Sequence, residues 1–379
     1  MNISRSSCRI LVCIIIVTAC SAKAQQKFLY NDTCLYPFFE YLQDKGSAKV
    51  LHLGDSHVQA GFLPNAVAAG LKKKFGDGGT GWVFPYNLAG TNGPDNYRWS
   101  SNTRWSADRI VDRNISAWPG PGGIAISGNN PVLTYTGQNI TAVKAFFKDG
   151  TAATNDGELT TEETDFGKAA LIRFNSPQTT FSLRWPAQPV RFYGAIVYNG
   201  DSGILYNSIG INGAQFMHYN QDAQTIPTQM AILEPQLVII SLGTNEAFGG
   251  INASQLRQEM DKTVTAIKEN APEATILFTT PPSGMMKKRQ VPYKKKGKTR
   301  YRVSYIRNAQ VAVIRAEMIR FCKDNDIAYW DFHEVMKADK NFVRGWSQDH
   351  VHFNAFGYTR QGNLLYDAII ASWEKWQQK

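Results

Sequence analysis

The sequence predicts an α/β protein: a parallel sheet between two layers of helices, with a β-sandwich inserted into it. Two textures carry that expectation. Before residue 90 and after residue 199, short apolar runs such as Val50-Leu51-His52-Leu53 and Leu237-Val238-Ile239-Ile240 each lead into a segment with apolar residues at helical spacing. Strands alternating with helices form parallel sheets, because the crossover that returns the chain to the same sheet needs a helix's length. From about Gly90 to Tyr198, helical periodicity disappears and short β-prone runs alternate with turn signals.

Taken in order, Asn31 to Asp44 reads as a short helix over the sheet edge. The first strand ends at Gly54, and Gly61 to Phe75 follows as a helix with Phe62, Val67, Leu71 and Phe75 on one face. Gly76-Asp77-Gly78-Gly79-Thr80-Gly81-Trp82 reads as a flexible loop at the mouth of a cleft. A phosphate cradle is disfavoured there, since these glycines follow a helix instead of opening one. In the inserted segment Val132–Tyr135, Val143–Phe147, Ala169–Phe174, Thr180–Arg184 and Val190–Tyr198 are the expected strands, set apart by turns such as Lys148-Asp149-Gly150 and Asn155-Asp156-Gly157. Trp99, Trp105, Trp118 and Trp185 fall within it, as core first and as sugar-stacking candidates second. Beyond Tyr198, Gly203–Ser208, Leu237–Ser241, Thr275–Thr279 and Ala328–Asp331 read as strands. Asn252 with Gln255 makes a capping box for a helix ending near Asn270. Further helices are expected over Ser304 to Asp324 and Ala355 to Trp376. The division is therefore 1–24 export signal, 28–90 and 199–379 as two parts of one catalytic-type domain, and 91–198 the insertion.

The net charge of +10 on 379 residues suggests a polyanion binder until it is located. Arg5, Arg9 and Lys23 lie in the leader, and ten more cations fall between Lys287 and Arg307 with no acid among them. Without these thirteen the remainder carries −3, which argues against nucleic acid as a partner of the body. The run 287–307 is a solvated loop in the plainest reading and a surface for an anionic polymer or membrane in the other. Arg5 and Arg9 precede the apolar run Ile10 to Ala19, the form of a secretory signal. Ala22-Lys23-Ala24 suits ordinary cleavage, and Val17-Thr18-Ala19-Cys20 suits a lipoprotein ending with acylation at Cys20. The expected location is the periplasm or cell surface. Cys34 and Cys322 remain after the leader; two free thiols are favoured over a bridge, and no Cys/His spacing suggests a metal or other cofactor.

The chemistry-bearing residues all follow the carboxyl end of a strand or precede a helix. Ser56, after the strand ending at Gly54, is placed as a nucleophile. His352 would take its proton, and Asp349, three residues earlier, can reach Nδ1 while Nε2 faces outward. His350 is the rival, its side chain turned elsewhere by adjacency. Donors for a developing oxyanion are the N–H groups of Ser56 and Gly213 and the amide of Asn245, such an amide contributing about 3–4 kcal/mol to the transition state. His57, Trp82 and Glu246 are candidates for substrate contact.

Gly54-Asp55-Ser56, Ser208–Gly213, Gly243-Thr244-Asn245-Glu246 and Asp349-x-x-His352 resemble, in order, the four blocks of the SGNH (GDSL-type) hydrolases. In the second block Gly210 is an alternative to Gly213. In the third, Thr244 follows the glycine and Glu246 replaces the Asp of the family's Gly-x-Asn-Asp, which leaves the donor amide of Asn245 in place. Gly54-Asp55-Ser56-His57, Gly243–Glu246 and a β module between the first two blocks look more closely like the bacterial peptidoglycan O-acetylesterases, whose insertion is similar to a family-35 carbohydrate-binding module. The resemblance implies an SGNH three-layer fold, no cofactor, and removal of O-acetyl groups from a polysaccharide such as peptidoglycan through an acyl-enzyme on Ser56. A lipase or thioesterase acting on longer acyl chains, a polysaccharide O-acetyltransferase and a non-catalytic wall-binding protein are the alternatives.

Overall fold

A computed structural model describes residues 27–200 and 202–379. The expected signal, with Arg5, Arg9 and Cys20, lies outside the described residues. The chain begins with Leu29–Tyr30 (β1), Tyr36–Lys45 (α1), Ser47–Gly54 (β2), Ser56–Gln59 (α2), Phe62–Phe75 (α3) and Asp77–Gly79 (β3). An antiparallel section follows: Gly81–Val83 (β4), Arg98–Ser101 (β5), Ser106–Arg109 (β6), Ile124–Asn129 (β7), Val132–Lys148 (β8), Glu158–Thr164 (β9), Gly167–Arg184 (β10) and Pro189–Tyr198 (β11). Then come Gly203–Gly210 (β12), Phe216–Asn220 (α4), Thr225–Leu233 (α5), Leu237–Ser241 (β13), Thr244–Gly249 (α6), Ala253–Asn270 (α7) and Thr275–Thr279 (β14). Met285–Lys295 (β15), Lys298–Arg307 (β16), Gln310–Asp324 (α8), Ala328–Trp330 (β17), Phe332–Ala338 (α9) and Ala355–Gln377 (α10) complete the chain.

The central sheet has seven strands in the order β1-β17-β14-β13-β2-β12-β3, parallel throughout except for β1 against β17. Its strands read as continuous apolar runs because both faces are covered. Val50, Leu237 and Ile239 pack into the cluster shared with α1, α3 and α10, while Leu51, Val238 and Ile240 join the one shared with α5, α7 and α8. Asn252 caps α7 as expected: its Oδ1 accepts from Gln255 N at 2.9 Å, and Gln255 Oε1 accepts from Asn252 N at 3.3 Å.

The eight antiparallel strands run in the order β6-β7-β11-β8-β10-β9, with β4 beside β11 and β5 beside β8. Runs expected as separate strands are continuous. Both β8 and β10 cross the whole section, and their mutual register shifts between Arg173 and Thr180. Such irregularities bend a strand, so a single strand serves two parts of the sheet. The section folds over its own core: Trp99 on β5 meets Tyr135, Phe181 and Phe192 edge-on, and Trp185 meets Phe147 and Phe192. That core runs on without a break into the face of the central sheet carrying Leu51 and Leu53.

Two local expectations need correction. The segment Gly76–Trp82 is two short strands, and its glycines serve close packing. A Cβ on Gly79 would strike the Val197 carbonyl and one on Gly81 the Tyr206 carbonyl. β3 pairs with Ile204 and Leu205 at the start of β12, the end of the sheet opposite the serine turn. The basic run is a hairpin, not a loop, so the expected 304–324 helix begins only at Gln310. The hairpin turns at Lys296 and Gly297, both with positive φ (50° and 75°), the geometry that matches strand twist.

Candidate active site

The serine turn is built by close packing. β2 ends at Gly54, where a Cβ would run into the Val58 side chain and the Ser241 carbonyl. Asp55 caps α2, its Oδ1 accepting from His57 N at 2.9 Å. Ser56 stands first in α2, where a helix N–H has no acceptor within the helix. Gly210, at the end of β12, lies against the backbone of Asp55 and Gln59, with no room for a Cβ. It is thus a packing glycine, whereas Gly213 has φ +83° and open space where its Cβ would stand.

Ser56 Oγ lies 2.8 Å from His352 Nε2, and His352 Nδ1 lies 2.7 Å from Asp349 Oδ2. The tight turn before α10 brings the last pair together: Asp349 Oδ1 accepts from the N–H groups of Val351 and His352, each at 3.0 Å. Partial burial would raise the Asp349 carboxyl, but the His352 ring and these N–H groups outweigh it and hold it at about 2. A carboxylate charged at every working pH is thereby fixed against one ring nitrogen, and the other faces the serine hydroxyl. His350 is turned away in a left-handed conformation (φ 57°), its ring 4.4 Å from that of Tyr305.

Ser56, Gly213, Asn245 and His352 line one cavity of about 660 Å³, together with Asn92 and Tyr358. Asn245 Nδ2 donates to the Ala214 carbonyl at 2.9 Å and stands 3.3 Å from Asp55 Oδ2. The second contact is long for a hydrogen bond, so this N–H is the one an incoming oxyanion can take over.

The three expected substrate contacts lie elsewhere. Trp82 is core: its ring stacks on Phe146 at 6.0 Å and covers Gly194. Glu246 is buried, accepting from Phe216 N at 2.8 Å and Gly243 N at 2.9 Å, and so ties the loop after Gly213 to the Asn245 turn. Burial pushes its carboxyl up to about 7, although the backbone donors act against this. His57 is buried beneath the catalytic-type histidine, its ring stacked on His352 at 5.3 Å with Phe353 and Tyr358 edge-on around it. Among the described residues neither of its ring nitrogens has a hydrogen-bond partner, and burial, then the neighbouring His352, lowers it to about 3. Burial raises Asp55 to about 8 against the pull of the His57 N–H, with Glu246 adding to the rise.

One residue escaped the sequence reading. Buried Gln59 on α2 donates to the Asn92 carbonyl (2.7 Å) and Thr91 Oγ1 (3.0 Å), and its Oε1 accepts from Asn212 N (2.7 Å). It joins the serine turn, the 91–92 loop and the Gly213 loop. A lone Gln in a short helix carries no sequence signal.

Fold and site together define an α/β carboxylic ester hydrolase with a serine, a histidine and an aspartate at the carboxyl end of a parallel sheet. Residues 178–360, a little under half of the chain, match the GDSL-like lipase/acylhydrolase family. The match takes in Gly213, Asn245, Asp349 and His352, and the serine block precedes it. Among solved structures, one described as "Peptidoglycan O-acetylesterase in action, 5 min" has the same fold, with TM-score 0.71 and 24% identity over 89% of this chain and 96% of that one. A lipase/acylhydrolase from Enterococcus faecalis (17% identity, 45% of this chain and 77% of that one, TM-score 0.33) overlaps far less. The same holds for a carbohydrate esterase family 3 protein from Talaromyces cellulolyticus (13%, 45% and 72%, 0.33). No curated protein matches the chain.

Proposed function

We propose that the chain is a serine esterase removing O-acetyl groups from a cell-wall polysaccharide, peptidoglycan in the first place. The observation that carries this is the relay Asp349–His352–Ser56, which opens on a cavity whose other wall holds Gly213 and Asn245. The likeness in fold to the peptidoglycan O-acetylesterase supports the choice of substrate, since it spans the antiparallel section as well as the catalytic one.

In this reading Ser56 Oγ attacks the acetyl carbonyl while its proton passes to His352 Nε2. The N–H groups of Ser56 and Gly213 and the Asn245 amide receive the oxyanion. On collapse the sugar oxygen leaves with the proton from Nε2, giving an acetyl-serine. Water, deprotonated by the same nitrogen, then releases acetate. The carboxylate of Asp349 holds the ring's tautomer throughout.

The test is acetate release from O-acetylated peptidoglycan by wild type and Ser56→Ala, alongside p-nitrophenyl acetate. The variant should fold with an unchanged melting temperature and lose at least about 10³-fold in kcat, the scale of a lost triad member. Full activity in Ser56→Ala would overturn the assignment, as would a preference for acyl chains above about eight carbons. We also propose export, on the basic–apolar leader Arg5 to Ala19. The mass of the processed protein distinguishes cleavage after Ala24 from acylation at Cys20.

A further inference from the structure

The β15–β16 hairpin is the most heavily charged feature of the molecule and has no place in the chemistry above. Lys287, Lys288, Lys294, Lys295, Lys296, Lys298, Arg300, Arg302 and Arg307 are all exposed on it or at its turn, and none has a carboxylate partner among the described residues. Its base is docked on the loop that holds Asp349 and His352. Met285 N donates to the His350 carbonyl at 2.9 Å, Tyr305 Oη donates to the Gln348 carbonyl at 3.2 Å, and the Tyr305 ring covers His350. Asn308, just beyond, donates through Nδ2 to the Ala247 carbonyl in α6, at 2.9 Å. The ribbon therefore rises directly from the segment carrying Asp349 and His352.

The register decides what it fits. Residues directly opposite share a face, and successive residues alternate. Val291, Tyr293 and Lys295 lie on one face with Arg302, Arg300 and Lys298; Pro292 and Lys294 lie on the other with Tyr301 and Thr299. Aromatic and cationic side chains are thus mixed on both faces, and Arg302 stands 5.8 Å from the Tyr293 ring centroid. An element lying on a membrane separates an apolar face from a charged one, and this ribbon has no apolar face. Rings interleaved with cations suit a polymer that offers sugar faces and carboxylates in alternation.

We infer that the 285–307 hairpin is a binding arm for a carboxylate-bearing glycan strand, which it holds beside the triad. The inference rests on the polysaccharide reading above and adds the charge that the polymer must carry. Substituting Lys294→Gln, Lys295→Gln, Lys298→Gln and Arg300→Gln together tests it, none of these residues touching the catalytic machinery. Each exposed pair contributes about twofold. The KM for O-acetylated peptidoglycan, whose stem peptides carry carboxylates, should rise about tenfold with kcat unchanged. Values for an acetylated xylan free of uronic acid, and so neutral, and for p-nitrophenyl acetate should not move. The wild-type KM should also climb between 50 and 300 mM salt, and the variant's should climb distinctly less. Equal KM values for wild type and variant on peptidoglycan overturn the arm. Sedimentation of Ser56→Ala, with and without the four substitutions, on deacetylated peptidoglycan separates the two ideas: hairpin-dependent binding supports the arm even if no glycan ester is cleaved. Binding to anionic phospholipid vesicles that depends on the hairpin, with none to the glycan, overturns it.

Discussion

His57 is the clearest case of a residue whose role the fold alone discloses. A histidine next to a candidate nucleophile invites a role in binding, yet its ring is a buried plate under His352, both nitrogens without a partner among the described residues. A buried polar atom without a partner costs about 1–3 kcal/mol, so shape and not hydrogen bonding is what the site uses. His57→Phe should keep kcat within about threefold and raise the melting temperature. His57→Ala, which leaves the His352 ring unsupported, should lower kcat about tenfold or more with KM little changed, as a misplaced base does. Steady-state kinetics and thermal melts on both variants check this; comparable activity in all three proteins would refute it. Asp55 supplies a pH signature. Its carboxyl is raised to about 8 from an unfolded value of about 3.9, so the folded state holds the proton more tightly. Its contribution to stability is full below about pH 4, declines as pH rises to 8, and is constant beyond. Asp349, lowered to about 2, acts oppositely and only below pH 4. Asp55→Asn, which cannot ionise, should be less stable at low pH because one of two N–H donors then meets an amide NH₂. The part of the stability decline between pH 4 and 8 that belongs to Asp55 should vanish, and melting temperatures across that range measure it.

At the scale of elements, what was legible followed from periodicity and caps, and what was not followed from contacts distant in sequence. The strands β2, β13 and β14 and the capping box of α7 announce themselves locally. The four blocks holding Ser56, Gly213, Asn245, Asp349 and His352 were legible because each stands at a strand end or in a loop before a helix. The hairpin was missed because its turn is Lys296-Gly297 instead of Asn-Gly or Asp-Gly, and its strands are charged where strands are usually apolar. Trp82 was misplaced because glycines around a tryptophan suggest a mobile loop, whereas here they admit two strands and a ring at close approach. Glu246 stands where a substrate contact was expected and points into the backbone of its neighbours. Gln59 joins three elements that share no local signal. Removing its amide frees the 91–92 loop and Asn212 together, so Gln59→Ala should cost about 10–10² in kcat/KM, the scale of a displacement near 1 Å. Its melting temperature should fall only modestly; wild-type kcat/KM would show that the latch does not hold the Gly213 loop in a working position.

For the whole molecule, the question is whether the antiparallel section is a module or part of the catalytic body. A boundary at residue 91 was expected from the change of texture, but β4, ten residues earlier, already pairs with β11. Side chains also cross between the two parts: Trp118 Nε1 donates to Thr225 Oγ1 at 3.0 Å, Gln229 Nε2 to the Pro121 carbonyl at 2.7 Å, and Tyr86 Oη to the Gly210 carbonyl at 3.4 Å. The last contact reaches the glycine that packs behind the serine turn. Apolar residues of both parts form one continuous cluster, so excising the section would expose a face of the central sheet that carries Leu51, Leu53 and Ile209. Domains that unfold separately need separate cores. The chain should therefore melt in one calorimetric transition with van't Hoff and calorimetric enthalpies equal. A variant with 91–198 replaced by a short Gly/Ser linker should be insoluble or molten. Two resolved transitions, or an excised variant that still cleaves p-nitrophenyl acetate at the wild-type rate, would show the section to be an appendage and the shared core to be dispensable.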